Sequence, residues 1–102
     1  MPESEEMLRL CHRVQKHLTS RDTAQCLAEI SWAMGQYPNC AEPHNLMGLL
    51  LEAQHDHCGA MRHFRAAYAL DPTYLPAREN MEDYSAFTQI HRGRFTWDDC
   101  ET

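Results

Sequence analysis

The densest run of reactive side chains in this sequence is His55-Asp56-His57-Cys58, with His63 a helical turn or so beyond it. Imidazole and thiolate are good ligands for zinc or nickel, so this run is the first candidate for a metal site. Its local geometry argues the other way. Adjacent side chains in a turn diverge, and no second ligand pair stands at structural-zinc spacing. His55, His57 and Cys58 therefore remain weak metal candidates, and no cofactor is expected. His12 and His17 are five apart, so on a helix they point roughly 140° away from each other and make no ligand pair. Ser20, Asp22 and the histidines supply the ingredients of a catalytic triad, as any chain of this size does. No nucleophile elbow, phosphate-binding glycine loop or HExxH occurs, and the expectation is a non-enzyme.

Cys11, Cys26, Cys40, Cys58 and Cys100 are five in number, scattered, and without a CxxC pair. Three fall inside apolar helical patterns, which reads as reduced, partly buried thiols. The net charge of −6 argues against a nucleic-acid partner, because arginines are dispersed among acids and form no basic stripe. No apolar stretch approaches the roughly 18 residues that a membrane helix needs, so no membrane partner is expected. The opening Met-Pro-Glu-Ser-Glu-Glu is acidic where a secretory leader would be basic and then apolar. The expected compartment is the cytoplasm.

The elements that must position these residues show a repeat. Tyr37-Pro38 and Asp71-Pro72 close two similar blocks 34 positions apart, and the same offset aligns Ala33 with Ala67, Ile30 with Phe64 and Cys26 with Ala60. Small or apolar residues four and three apart mark one buried helix face. Each block divides into two helices: Leu8, Leu10, Val14 and Leu18 precede the break at Ser20-Arg21-Asp22, and Leu46, Met47, Leu50 and Leu51 precede His55-Asp56-His57. Pro43 and Pro76 stand where a first helical turn begins, and a missing N–H costs nothing there. Helices are expected near 5–19, 22–36, 42–54, 58–70 and 76–91. The expected fold is an all-α antiparallel helix-turn-helix array. It places repeats at 7–40 and 41–74 and a capping helix at 76–91 within a domain of 1–91, followed by an irregular tail at 92–102.

Residues 41–74 resemble a tetratricopeptide repeat through Met47-Gly48, Leu51, Ala60, Phe64, Ala67 and Pro72, all at that family's spacing. Residues 7–40 match more loosely, with Arg13-Val14 where Leu-Gly is usual and Cys26 in place of a small Ala. The resemblance implies a concave groove lined by the first helix of each pair. Carried over, those positions are Leu8, Cys11, His12 and Gln15, then Glu42, Asn45, Leu46, Leu49 and Glu52, then Glu79, Asn80, Asp83 and Phe87. Leu46 and Leu49 would form an exposed apolar strip, and the flanking acids would suit a basic or amphipathic segment. Some family members clamp a terminal carboxylate with cations. The matching positions here, Cys11, Gln15, Leu46, Pro76 and Asn80, carry none.

Tyr84, Phe87, Phe95 and Trp97 continue an apolar pattern into the tail. Three arrangements fit it: a tail folded back on the closing helix, a tail meeting a second copy, and a disordered peptide that docks elsewhere. The leading expectation for function is a non-catalytic protein-interaction module holding a peptide or helix in its groove. A metal- or thiol-dependent sensor using the His55–Cys58 run and a self-associating homodimeric scaffold are the alternatives.

Overall fold

The structure, a computed structural model, describes residues 4–85 and 93–100. Among these residues five α-helices run in order: α1 (Glu5–Thr19), α2 (Thr23–Gln36), α3 (Ala41–Ala53), α4 (His57–Leu70) and α5 (Leu75–Ser85). A single 3-10 turn follows at Trp97–Asp99, and no strand occurs among the described residues. The expected all-α array is present. The expected continuation of the last helix to residue 91, and Phe87 with it, lies outside the described residues.

Local chemistry starts and stops these helices. The Ser4 hydroxyl accepts from the Met7 amide, Glu5 and Glu6 occupy the first turn of α1, and Lys16 and His17 its last. Both charge placements favour the helix dipole. Asp22 and Asp56 cap α2 and α4 in the same way, accepting from the Gln25 and Gly59 amides. The two turns within the hairpins share one design. Arg21 and His55 adopt positive φ, 60° and 65°. The next amides, Asp22 and Asp56, reach back 2.8 Å to the carbonyls of His17 and Leu51. These bonds are those of a Schellman motif, and its final residue is also the cap of the following helix. Such economy leaves each hairpin pinned at two consecutive residues, at positions 34 apart in the chain.

Helix packing then sets the shape. Consecutive helices touch, and α3 also touches α1 and α5, whereas α2 and α4 do not meet. The odd-numbered helices thus form a continuous inner layer and the even-numbered ones a splayed outer layer, which curves the array around α1, α3 and α5. Met7, Leu10, Cys11 and Val14 from α1 join Cys26, Ile30 and Ala33 from α2 and Leu46, Met47 and Leu50 from α3 in one core cluster. Leu49, Ala60, Met61 and Phe64 form a second, joined by Met81, Tyr84 and Phe95. At Gly48 the α3 backbone lies so close to the Phe64 ring that an added Cβ would stand 2.4 Å from it.

Gly48→Ala should therefore cost about 1–3 kcal/mol through overpacking. Gly35, with nothing within 4 Å of an added Cβ, is the control: Gly35→Ala should add about 0.5–1 kcal/mol of stability. Urea unfolding of the two variants checks the contrast, and equal responses would show that the α3–α4 approach is looser than described.

Candidate functional site

The inner layer brings Asn45 from α3 and Asn80 from α5 together, and both are completely buried. Asn80 donates to the Asn45 carboxamide oxygen at 2.8 Å. Their remaining hydrogen-bonding capacity is directed at one residue of the tail. Asn45 and Asn80 both donate to the Arg94 carbonyl, at 2.9 and 2.8 Å, and Asn80 accepts from the Arg94 amide at 2.7 Å. The Asn80 side chain thereby pairs with a backbone N–H and C=O of one residue, as a neighbouring strand would. A buried carboxamide without such partners would cost a few kcal/mol, so the site is complete only with the backbone of another segment lying in it.

The side chains of that segment are received separately. The Arg94 guanidinium reaches Glu79 and Asp83, each at 3.2 Å, and retains only 10% exposure. Glu82 joins these residues around the same cleft. Phe95 packs against both core clusters of the inner layer. Trp97 packs on a separate small cluster of Ala41, Ala67, Tyr74 and Ala77, with its ring edge-on to Tyr74 at 6.3 Å. Thr96 between them is buried in an extended conformation, φ −138° and ψ 170°. The segment is closed by a capping box, in which Asp99 accepts from the Phe95 and Thr96 amides. Gly93, at the other end, lies where a Cβ would come within 2.9 Å of Leu49.

These facts correct the expectation of an open groove. Leu46 and Leu49 are 0% and 3% exposed, so the predicted exposed strip is absent. Leu46 belongs to the core between α1, α2 and α3, and Leu49 packs with Phe64 and Phe95. Asn45 and Asn80 face the groove floor beneath the tail, and the acids Glu79 and Asp83 hold the tail's own cation. Glu52 sits at the groove's other end, half-buried and paired with His57 at 2.7 Å. Leu8, Gln15 and Glu42 are half-buried, Cys11 is buried and His12 is exposed. Of the three tail arrangements, the described part shows the fold-back. Tyr84 stacks on Phe64 at 5.9 Å as part of the same packing. No local pattern in the sequence singles out Arg94, whose asparagine partners stand 14 and 49 residues away.

The proposed metal run does not converge. His55 is the exposed left-handed residue of its turn, His57 pairs with Glu52, and Cys58 is exposed in the first turn of α4. Among the described residues no group of three or more His, Cys, Asp or Glu is placed to hold a metal ion. Two of the thiols are pushed toward the protonated form. Burial, with Asp22 and Glu29 nearby, raises the Cys26 pKa, and burial with Glu42 raises that of Cys40. A different pair of imidazoles is brought together instead: His44 and His63 stack between α3 and α4 with their Nδ1 atoms 3.2 Å apart. Burial lowers both pKa values, and for His63 the neighbouring His44 and Arg62 lower it further against the opposing Asp56.

Comparison of this chain with protein-family models, with curated proteins and with solved structures finds no match. No helix among the described residues is long and apolar enough to cross a membrane.

Two predictions follow from the charges. Arg94→Ala should cost about 2–4 kcal/mol, since it strands two partly buried carboxylates. Arg78→Ala, which removes an exposed pair to Glu82, should cost no more than about 0.5 kcal/mol; equal losses in denaturant titrations would contradict the placement of Arg94. The histidine pair gives a pH dependence of definite sign. Because the folded pKa values lie below the ordinary 6.5, the unfolded chain takes up protons first. Stability is then full above that value and falls as pH drops below it. Melting temperatures at pH 7.5 and 5.5 should differ less in the His44→Leu/His63→Leu chain than in the natural one.

Proposed function

We propose that this chain is a non-catalytic protein-interaction module that holds an extended polypeptide segment in the groove lined by α1, α3 and α5. The observation that carries this reading is the buried Asn45–Asn80 pair, whose hydrogen bonds, apart from the one that joins the two side chains, go to another segment's backbone. Side chains that read a backbone amide and carbonyl provide affinity without demanding one sequence, and flanking pockets then supply selectivity. The recurrence of the same hairpin turn 34 positions later supports an array of the tetratricopeptide kind, in keeping with the resemblance of residues 41–74.

A metal- or thiol-dependent sensor at the His55–Cys58 run draws no comparable support, because its side chains surround an exposed turn without converging and His57 is paired with Glu52. Self-association through the aromatic end has a weaker basis than groove binding, since Tyr84 and Trp97 already find aromatic partners within the chain.

The test is to select ligands from a random peptide display library against the full chain carrying Arg94→Ala, whose tail is held less firmly. Their binding sites are then mapped by amide chemical shifts. Ligands should perturb Gln15, Glu42, Glu52, Glu79 and Asp83 on the inner helices. Selected peptides that shift only α2 and α4, or a selection that yields none, would sink the groove assignment.

A further inference from the structure

Resting on that reading, we propose a specific ligand class. The groove receives, from a partner protein, an extended segment of the form glycine, arginine, aromatic, small polar, aromatic, and residues 93–97 are the resident copy that such a partner displaces.

Each element of the pattern answers to a feature of the receptor. Glycine is favoured first because an added Cβ would come within 2.9 Å of a terminal methyl of buried Leu49, which would have to give way, with the Tyr84 hydroxyl 3.4 Å away. Arginine follows because Glu79 and Asp83 present two carboxylates to a single side chain. Their separate approach to Nε and to a terminal nitrogen suits a forked guanidinium and not the compact ammonium of lysine. The first aromatic fills the gap over Leu49 and Phe64 where Phe95 sits. A small residue comes next because Thr96 is 3% exposed, and the second aromatic meets Tyr74 and the alanines beside it. The backbone is extended at Thr96 and enters the 3-10 turn at Trp97, so Phe95 and Trp97 reach different clusters although they stand two apart.

Recognition of this kind is independent of which chain supplies the segment. The contacts above are made to residues 93–97 by α3, α4, α5 and Tyr74, which precedes α5, and none depends on the covalent link between them. The buried carboxamides also make an empty groove costly, so exchange of one segment for another is favoured over vacancy. A tethered occupant acts at an effective concentration on the order of millimolar. A partner must overcome that competition, which makes the resident segment a threshold as well as a structural element.

The experiment uses the peptide acetyl-Gly-Arg-Phe-Thr-Trp-Asp-Asp-amide carrying fluorescein, titrated by anisotropy against the natural full chain and against the full chain with Arg94→Ala and Trp97→Ala together. The peptide should bind the doubly substituted chain at least about tenfold more tightly than the natural one. Replacing its arginine by alanine, or its glycine by valine, should weaken binding to that chain by at least about tenfold. Should the substituted chain lose helix, the arginine peptide should restore its circular-dichroism spectrum and the alanine peptide should not. Equal binding of the arginine and alanine peptides, or the absence of both binding and restoration, overturns the proposal. Library ligands that map to the inner helices but lack arginine would overturn this ligand class alone and leave the interaction-module reading standing.

Discussion

The structure turns on two asparagines in a place where apolar side chains would be easier to accommodate. Asn45 and Asn80 are fully buried, and burying two carboxamides is tolerable only if nearly every donor and acceptor is met. Within the inner layer they meet only each other once. The backbone of Arg94 supplies the rest, and the position of the whole tail follows from that constraint. With Arg94 anchored, Phe95 and Trp97 reach separate apolar clusters and the guanidinium is delivered to Glu79 and Asp83. The turn at Trp97–Asp99 then closes the segment. The groove and its occupant are one polar network embedded in an apolar surround.

That arrangement changes the meaning of a short helical array. Two hairpins and a fifth helix bury a continuous core, but the exposed inner side of such an array lacks a neighbour to complete it. Here the tail provides apolar cover through Phe95 and Trp97, and it provides an anchor that is polar and directional. Apolar cover alone would stabilise the fold without selecting a sequence. Directional bonds select a backbone conformation, and the acid pair selects one side chain. Protein recognition generally separates these tasks, with an anchor in a pocket and polar groups fixing register.

The helices were legible in the sequence because their apolar residues recur at helical spacing and prolines and polar breaks punctuate the pattern. The structure adds the caps Ser4, Asp22 and Asp56, and the 34-residue offset between Ala33 and Ala67 is matched by like turns at Arg21 and His55. The positions of Asn45, Asn80, Glu79 and Asp83 on the inner layer were legible too, through the resemblance. Their burial was not. Arg94 lies 49 residues from Asn45 and 14 from Asn80, and no local periodicity couples such positions. The His44–His63 pair was hidden for the same reason, since each residue is an ordinary polar position on its own helix. The His55–Cys58 run stood out by density alone, and density in a turn carries no information about convergence.

The central claim is that Asn45 and Asn80 hold the Arg94 backbone in solution. Nuclear magnetic resonance of the isotopically labelled full chain tests it most directly, through Overhauser contacts between the two side-chain amides and the backbone of residues 94 and 95. The account predicts such contacts, together with slow exchange of the Asn45 and Asn80 amide protons and of the Arg94 backbone amide. Rapid exchange of all three with water, with no contact to residue 94 or 95, would contradict it.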